Sequence, residues 1–448
     1  MGKLFGTDGV RGIANEELTN ELAYKLGRFG AHVLSKGDKK AKILVGKDTR
    51  VSGDMLESAL ISGVLSAGCD VIKVGVLPTP AIAYLVRHFD LNAGVMISAS
   101  HNPLEYNGIK FFNKKGFKLR DEIEEEIEDY ILNEKDIDHI PTGEELGRKT
   151  QIYHGMDIYS KFVKSTTNMD FKGLRVAVDC ANGAASEVAY KTLREMGATL
   201  NIINNAPDGF NINKNCGSTH MAVISNYTRE VGADIGISFD GDADRLLAVD
   251  ENGVLIDGDK IMAICGLYLK NKGKLRNNTI VTTVMSNIGF DIACKENGMK
   301  NVKTQVGDRY VLKEMVDKGY DLGGEQSGHI IFLEHNTTGD GLLTAIQLLS
   351  VLKKRGKKMS ELSKMMKIYP QVLKNAKVSN KTKFDYDKDE IILKSIKKVE
   401  DKFSGEGRVL IRPSGTEPLV RVMIEGENYL ELETYADELV EIIEERLK

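Results

Sequence analysis

The chain has 448 residues, which is too many for one hydrophobic core, because domains usually hold about 100 to 200 residues. Hydrophobic residues make up 42% and charged residues 28%, the balance of an ordinary globular protein and not of a disordered one. The formal net charge of -4 provides no field that would attract nucleic acid or an anionic membrane. Any site for a phosphate must therefore be built from local clusters.

Cysteine usage and hydropathy indicate where the protein works. The five cysteines are widely spaced and include no CxxC pair, so they fit neither a disulfide framework nor a zinc site. No stretch of about 18 apolar residues occurs, and the N-terminus, MGKLFGTDGVRG, lacks the apolar run of a signal peptide. We therefore expect a cytoplasmic protein with no membrane and no nucleic-acid partner.

One pattern occurs three times along the first 330 residues. An apolar strand leads into helical sequence, and a later apolar strand ends in a polar, Gly-rich loop. The strand pairs are 42–46 with 94–97, 174–178 with 235–239, and 279–283 with 320–322. The pattern predicts three related α/β units of mixed or mostly parallel sheets covered by helices, for example a helix with Leu22, Leu26, Phe29 and Val33 on one face. Chemistry in such sheets gathers on the loops at the carboxyl ends of the strands.

The pattern changes after about residue 370. Strands are predicted at 408–411 and 420–424, and a closing helix has Leu432, Tyr435, Leu439, Ile442 and Ile443 at helical spacing. These elements predict a smaller α+β domain at the C-terminus. The expected domains are 1–153, 154–255, 256–369 and 370–448.

The loop after the second unit's later strand, Asp240-Gly-Asp-Ala-Asp-Arg245, carries three carboxylates separated by Gly and Ala. Three carboxylates that close together need a cation, and oxygen ligands favour a hard metal such as Mg2+. An EF-hand is an alternative, but Arg245 stands where that motif requires Gly, although Glu251 falls at its final ligand position. The pattern is also compatible with a solvated acidic turn, or with an aspartyl-phosphate phosphatase that uses Asp240 as its nucleophile.

The loop after the first unit's later strand, Ser98-Ala-Ser-His-Asn-Pro103, places Ser100 between small and polar neighbours. A serine at a strand end is more often a turn or cap residue. If the carboxylate loop faces this one, however, a phosphoryl group on Ser100 would complete the magnesium shell. Lys110 would then assist as a charge or a proton-transfer group; its alternative is a solvated lysine.

Two further loops offer groups for a sugar phosphate. The segment Arg412-Pro-Ser-Gly-Thr-Glu-Pro418, with Arg421 behind it, has the guanidinium and hydroxyl groups of a phosphate clamp; the alternative is a capped turn between two strands. The loop GGEQSGH offers Glu325 and Ser327 as partners for a hydroxyl or amine, and His329 as a group that titrates near neutral pH.

The motifs FGTDGVRG, SASHNP, FDGDADR, GEQSGH and RPSGTEP, in this order from the first residues to the last, resemble the α-D-phosphohexomutase family. Within the family, FGTDGVRG, VGDRYV and GEQSGH look like the branch that acts on glucosamine phosphates. The resemblance implies four domains around a central cleft, three of them related α/β units and the last a smaller, mobile one.

The resemblance also implies roles for particular residues. Ser100 would be the phosphoserine, and with Asp240, Asp242 and Asp244 it would hold one Mg2+ per chain. Glu325 and Ser327 would contact the sugar. The phosphate-binding loop would comprise Arg412, Ser414, Gly415, Thr416 and Arg421. The polar groups that assist transfer would be Arg11, Lys110, Arg245 and His329.

The activity implied is that of an isomerase, an intramolecular phosphotransferase. It would interconvert glucosamine 6-phosphate and glucosamine 1-phosphate through a 1,6-bisphosphate, after an activating phosphorylation of Ser100, and supply amino-sugar precursor for UDP-N-acetylglucosamine and cell-wall synthesis. Its partner would be a small-molecule hexosamine phosphate, and a homodimer is among the expected assemblies. Three different functions stay open: a phosphomannomutase/phosphoglucomutase, a phosphatase that uses Asp240, and a non-catalytic protein that binds a sugar phosphate or a divalent ion.

Overall fold

The structure, a computed structural model, describes residues 4–6, 8–36, 38, 40–403, 407–414 and 417–448. It contains two compact units, Met1–Met285 with Met299–Met365, and Ser286–Gly298 with Met366–Lys448. No helix in the described part of the chain is long and apolar enough to cross a membrane. The described cysteines are all buried.

The N-terminal part of the first unit is built around a six-stranded sheet. Its elements are β1 (Val10–Ile13), α1 (Asn20–Ser35), β2 (Lys42–Lys47), α2 (Ser52–Ser66), β3 (Asp70–Val76), α3 (Thr79–His88), β4 (Ala93–Ile97), β5 (Tyr106–Asn113), α4 (Asp121–Leu132), a 3-10 turn (Gly143–Glu145) and β6 (Lys149–Gln151). The strand order is β1-β5-β4-β2-β3-β6. Strand β2 is parallel to β3 and β4, whereas β5 is antiparallel to β4 and β1. All of β4 is buried, so its carboxyl end delivers the following loop into the interior.

Helices α1 and α2 pack closely because glycines lie at their contact. A Cβ added at Gly27 would lie 2.2 Å from the Leu60 carbonyl oxygen, and one at Gly63 would lie 2.1 Å from the Tyr24 carbonyl oxygen. Larger residues would separate the two helices. The predicted apolar face of α1 is confirmed, because its central apolar positions are buried against the sheet.

The middle part of the first unit forms a five-stranded sheet. Its elements are α5 (Gly155–Ser165), β7 (Arg175–Asp179), α6 (Ala185–Glu195), β8 (Thr199–Ile203), α7 (Met221–Glu230), β9 (Ile235–Phe239), β10 (Leu246–Asp250) and β11 (Leu255–Ile256). The strand order is β11-β10-β9-β7-β8, and β9 is parallel to β7 but antiparallel to β10. Residues 240–245 therefore connect a β-hairpin whose first strand, β9, is entirely buried.

A four-stranded sheet follows, in the order β13-β12-β14-β15. The elements are α8 (Gly258–Asn271), a 3-10 turn (Arg276–Asn278), β12 (Thr279–Thr283), α9 (Ile288–Glu296), β13 (Lys300–Thr304), α10 (Asp308–Lys318), β14 (Leu322–Gly324), β15 (Ile330–Phe332), α11 (Gly341–Arg355), α12 (Met359–Leu362) and a 3-10 turn (Ser363–Met365). Of these, α9 belongs to the second unit.

The third polar loop begins later than the sequence predicts. The strand expected at 320–322 runs instead over Leu322–Gly324. Gly319, with φ of 69°, ends α10 in the left-handed region, and the Tyr320 N–H donates to the Met315 carbonyl oxygen at 2.9 Å. Residues 320–321 therefore serve as the helix-to-strand connection, and the loop proper starts at Glu325.

The second unit contains a three-stranded antiparallel sheet in the order β16-β18-β17. Its remaining elements are β16 (Gln371–Lys377), α13 (Glu390–Lys402), β17 (Arg408–Pro413), β18 (Leu419–Glu425) and α14 (Tyr429–Arg446). The buried Glu425 carboxylate at the end of β18 accepts from Asn287 Nδ2 at 3.2 Å and from the Ile288 N–H at 3.1 Å. Residues from two distant stretches of chain thus share one small core. The expected fold class, α/β with mixed sheets and a smaller C-terminal domain, is confirmed.

Candidate active site

Hydrogen bonds to the backbone of Ser100 hold its loop in place. Ser100 follows β4, is 1% exposed, and has a φ of 53°, which a non-glycine residue seldom adopts. Its N–H donates to Ser98 Oγ at 2.9 Å, and Ser98 Oγ donates to Asp48 Oδ2 at 2.6 Å. Its carbonyl oxygen accepts from Arg50 at 3.1 Å and from Asn213 Nδ2 at 2.8 Å. These bonds fix the direction in which the hydroxyl points.

Ser100 meets the carboxylate loop directly. Its Oγ donates to Asp240 Oδ2 at 2.5 Å, across 140 residues of sequence. The approach depends on Gly241, where a Cβ would lie 2.5 Å from the Ser100 carbonyl oxygen. The structure therefore brings the hydroxyl and the three acidic groups into one buried place, as the sequence predicts.

The three carboxylates of that loop are buried and crowded. Asp240, Asp242 and Asp244 each offer one oxygen, and these oxygens all lie within 4.8 Å of one another. Burial, and then the charges of Asp244 and Asp242, raise the pKa of Asp240 well above its ordinary value. Asp242 Oδ1 and Asp244 Oδ1 are buried without a hydrogen-bond partner among the described residues. Crowded carboxylates with unsatisfied oxygens fit a hard divalent cation such as Mg2+.

The geometry does not fit an EF-hand or a solvated acidic turn. An EF-hand requires flanking helices, whereas β9 and β10 flank these residues. Glu251 accepts instead from the Ser360 hydroxyl at 2.5 Å and from the Ser360 N–H at 3.1 Å. A solvated acidic turn is excluded because all three aspartates are buried.

Lys110 is the cation closest to the carboxylates. It is 1% exposed on β5, and its Nζ lies 2.8 Å from Asp242, 2.9 Å from Asp8 and 3.8 Å from Asp244. Burial alone would lower the pKa of this ammonium, but the three carboxylates outweigh burial and raise it. Lys110 is therefore charged at neutral pH, and the interpretation as a solvated lysine is wrong.

Two arginines flank the same site. Arg11, on β1, forms an ion pair with Asp8. Arg245 Nε lies 3.9 Å from Asp244 Oδ1, and the Arg245 N–H donates to Asp240 Oδ1 at 3.1 Å. Together with Lys110, these guanidinium groups give the anionic centre a rim of positive charge.

His329 lies on the far side of Asp244 and is 3% exposed. Its Nδ1 is 3.6 Å from Asp244 Oδ2, and its Nε2 is 3.4 Å from Asp308 Oδ2. The Gly339 N–H donates to Nε2 at 3.0 Å, so in the neutral ring the proton lies on Nδ1, facing Asp244. Burial lowers the pKa of this histidine, but Asp244 and Asp308 outweigh burial and raise it.

The GEQSGH loop joins the carboxylate loop through the backbone. Arg245 and His329 form an isolated antiparallel bridge, and the Leu246 N–H donates to the Gly328 carbonyl oxygen at 3.0 Å. Glu325 Oε1 accepts from the Gly307 N–H at 3.2 Å. Ser327 Oγ is buried without a hydrogen-bond partner in the described structure.

The predicted phosphate loop lies in the second unit. Arg412 and Arg421 are directly paired on β17 and β18, so their side chains leave the same face of the sheet, and Arg421 pairs with Glu417 Oε2 at 3.4 Å. Ser414 Oγ accepts from the Glu417 N–H at 3.1 Å, which is the contact of a turn cap. Gly415 and Thr416 lie outside the described residues. The clamp stays a prediction on these residues.

Four residues of the site were missed by sequence reasoning. Asp8 contacts Lys110, and Thr79 Oγ1 donates to Asp242 Oδ2 at 2.5 Å. Lys118 pairs with Asp8 and, at 2.5 Å, with Asp308. Asp8 and Asp308 fall inside the motifs FGTDGVRG and VGDRYV, which is a signal for them. No motif marks Lys118 or Thr79.

Models of the phosphoglucomutase/phosphomannomutase family match nearly the whole chain. Alpha/beta/alpha domain I matches residues 2–138, domain II residues 157–253, domain III residues 257–369 and the C-terminal domain residues 373–442. The four matches follow one another in the order of the four motif-bearing segments.

Curated relatives are similar over their full length. A phosphoglucosamine mutase of Alkaliphilus oremlandii is 63% identical over 448 residues, which is 100% of each chain. The phosphoglucosamine mutase of Acetivibrio thermocellus is 61% identical, again over 100% of each chain. Identity at this level extends well beyond the motifs.

Solved structures of the same fold include two phosphohexomutases. A phosphoglucomutase/phosphomannomutase family protein of Burkholderia thailandensis has a TM-score of 0.80 at 24% identity, covering 99% of this chain and 97% of its own. The N-acetylphosphoglucosamine mutase of Aspergillus fumigatus, in complex with GlcNAc-6P and magnesium, has a TM-score of 0.69 at 18% identity, covering 99% of this chain and 96% of its own. On the four domain models and the full-length relatives, the chain belongs to the phosphoglucomutase/phosphomannomutase family of α-D-phosphohexomutases.

Proposed function

We propose that this chain interconverts glucosamine 6-phosphate and glucosamine 1-phosphate, with Ser100 as the carrier of the phosphoryl group. The observation that carries the proposal is the contact of Ser100 Oγ with Asp240 at 2.5 Å, inside a buried cluster of three carboxylates. The relatives with the same full-length sequence pattern are named phosphoglucosamine mutases. The enzyme is an isomerase that acts as an intramolecular phosphotransferase, and we place it in the cytoplasm.

The course of the reaction follows because a single phosphoryl donor, Ser100, must serve both ends of one sugar. Phosphorylated Ser100 gives its phosphoryl group to the free sugar hydroxyl, so the Oγ–P bond breaks and a sugar O–P bond forms, yielding glucosamine 1,6-bisphosphate. The bisphosphate reorients, and its other phosphoryl group returns to Ser100. The hydroxyl proton lost in the first transfer is restored to the sugar oxygen freed in the second, so atoms and charge balance over the cycle.

The residues of the site have different roles in this reaction. Asp240, Asp242 and Asp244, with the phosphoserine, would hold one Mg2+ per chain, which supplies neutralisation of phosphoryl charge when bound. Lys110, Arg11 and Arg245 stabilise the charge on the oxygens of the group in transit, since Lys110 and Arg245 border the carboxylates and Arg11 pairs with Asp8, which contacts Lys110. His329 presents Nδ1 as a proton carrier at the same place.

Recognition of the substrate falls to the other two loops. Glu325 and Ser327 would bind the sugar, because Ser327 Oγ has no partner among the described residues and Glu325 is only half-buried. The phosphate loop with Arg412, Ser414, Gly415, Thr416 and Arg421 would hold whichever phosphate is not reacting. We propose the four domains as 1–153, 154–255, 256–369 and 370–448, with the sugar phosphate as partner and a homodimer as assembly.

Phosphopeptide mapping tests whether Ser100 carries the phosphoryl group. After incubation with glucosamine 1,6-bisphosphate, phosphopeptide analysis should place one phosphoryl group on Ser100, in an ester resistant to hydroxylamine. A hydroxylamine-labile group on Asp240 would favour the phosphatase instead.

A panel of the 6-phosphates of glucosamine, glucose and mannose separates the proposed enzyme from a phosphomannomutase/phosphoglucomutase. We expect kcat/KM to favour glucosamine 6-phosphate by about tenfold or more, because a carboxylate such as Glu325 would bind the 2-ammonium group more strongly than the neutral 2-hydroxyl of glucose or mannose. Equal or greater turnover of mannose or glucose phosphate would assign the phosphomannomutase/phosphoglucomutase activity. Saturable binding without turnover would assign a binding protein.

The phosphate loop is tested by Arg421→Met. Loss of a guanidinium that binds the non-reacting phosphate should raise KM by about 10- to 100-fold and change kcat less. Lys374→Met is the matched control, since Lys374 lies on the adjacent strand β16 and pairs with Asp437 at 2.5 Å. An unchanged KM in Arg421→Met would contradict the clamp and support the capped turn.

A further inference from the structure

Six side chains form a closed ring around the site in which acidic and basic residues alternate, here named the charge ring. Lys110 lies 2.9 Å from Asp8, which pairs with Lys118. Lys118 lies 2.5 Å from Asp308, and Asp308 lies 3.4 Å from His329. His329 lies 3.6 Å from Asp244, and Asp244 lies 3.8 Å from Lys110, which closes the ring.

The proposed reaction assigns no role to Lys118, Asp8 or Asp308, and Lys118 is the cation that joins the other two. It lies in the connection between β5 and α4, outside the loops that the sequence marks as sites, and its side chain is 10% exposed. Its ammonium joins Asp8, 110 residues earlier, to Asp308, 190 residues later. Burial lowers the pKa of Lys118, but Asp308 and Asp8 outweigh burial and raise it, so the group is charged. A nearly buried ammonium is costly unless it is paired with acidic groups, as Lys118 is with Asp8 and Asp308.

The two partners of Lys118 both lead to the reaction centre. Asp8 contacts Lys110 and Arg11, the cations beside the carboxylates. Asp308 begins α10 and contacts His329. A shift of either carboxylate would therefore move a group that touches the reacting atoms.

A second ion-pair cluster reinforces the start of α10. Arg309 pairs with Asp121 and, at 3.2 Å, with Glu124, both on α4. Just before α10, the Gly307 N–H donates to Glu325 at 3.2 Å. Because Arg309 already holds α10 near α4, Lys118 is not needed to hold that helix. Its contribution is to set the position of the Asp308 carboxylate relative to Asp8.

We propose that Lys118 is a positioning residue for phosphoryl transfer. By neutralising Asp8 and Asp308 together, it keeps Lys110 and His329 in their positions around Asp244. This inference rests on the proposed function. Without the Lys118 ammonium, the Asp8 and Asp308 carboxylates would repel each other. Their movement would draw Lys110 and His329 apart. The substrate-binding loops would keep their own contacts, so the loss would fall on the transfer step.

The test compares Lys118→Met with wild type on glucosamine 6-phosphate plus glucosamine 1,6-bisphosphate. We expect kcat to fall by about 10- to 100-fold, the effect of misplacing a reacting group by about 1 Å, and KM to change by less than about threefold. Lys118→Arg, which keeps the positive charge, should recover most of kcat. Lys115→Met, an exposed lysine of the same turn, should match wild type.

A double variant tests whether Lys118 acts through Asp308. Asp308→Asn should lower kcat as Lys118→Met does, and the two changes together should lose no more than the more severe single change. Losses that multiply would overturn the inference, as would a Lys118→Met protein with wild-type kcat. If Lys118→Met does not fold, Lys118→Gln, which also removes the charge, takes its place in the same comparison with Asp308→Asn. A wild-type protein without mutase turnover would refute the proposed function itself, which is a distinguishable result.

Discussion

Ser100→Ala is expected to lose mutase activity by about 10^4-fold or more while keeping its fold. A nucleophile that carries the transferred group cannot be replaced by its neighbours, and removal of such a residue usually costs losses of this size. The variant deletes one oxygen, whose visible role in the structure is to donate to Asp240. Coupled measurement of glucosamine 1-phosphate formation gives kcat, and thermal unfolding gives stability.

The backbone of Ser100→Ala should remain in place, because the Ser100 N–H and carbonyl bonds do not use the side chain. Intact mass after incubation with the bisphosphate should show no added phosphoryl group. Ser165→Ala, which changes an exposed serine, is the control and should resemble wild type. Retention of full activity by Ser100→Ala would remove the proposed carrier.

Removal of divalent cations is expected to lower turnover by about 10^3-fold, and added Mg2+ should restore it, because charge on the phosphoryl group would otherwise be uncompensated. Mg2+ should also raise the melting temperature of wild type, because a ligand at about 100 times its Kd adds roughly 2.7 kcal/mol to the free energy of unfolding. Chelator titration followed by differential scanning fluorimetry measures both effects.

Asp240→Asn separates metal binding from charge repulsion. Since the raised pKa of Asp240 means that the folded protein binds its proton more tightly than the unfolded chain, Asp240 destabilises the metal-free fold as pH rises above about 3.9. The variant should therefore melt higher than wild type in chelator at neutral pH, with the difference disappearing in acid, and should respond weakly to Mg2+. A lower melting temperature in chelator would contradict the proposed repulsion.

The central chemistry could be predicted because each part of it is local in sequence. Asp240, Asp242 and Asp244 lie within five consecutive positions after a buried strand, and Ser100 lies on the equivalent loop of the preceding unit. Parallel strands place such loops at the carboxyl edge of each sheet, which marks both loops as candidate sites, whereas the meeting of Ser100 with Asp240 depends on how the two sheets pack.

The rest of the site could not be predicted, because it depends on long-range pairing. Lys118 joins residues 110 and 190 positions away, and a single lysine in a polar turn gives no signal for either partner. Thr79 reaches Asp242 across 163 residues, which only the packing of the two sheets determines. The late start of β14 was missed for a local reason, since Gly319 ends a helix where the apolar pattern alone suggested strand.

The burial of Glu425 has a consequence for the order in which this chain acquires its structure. The amides that satisfy that carboxylate belong to residues 287 and 288, which leave the ribosome 138 and 137 residues before it. During synthesis residues 286–298 emerge before β18, so they lack their contacts with Glu425 until β18 has been made. A fragment beginning at residue 370 would lack this segment and leave a buried acid without two of its donors, so an isolated C-terminal piece needs residues 286–298 supplied as well.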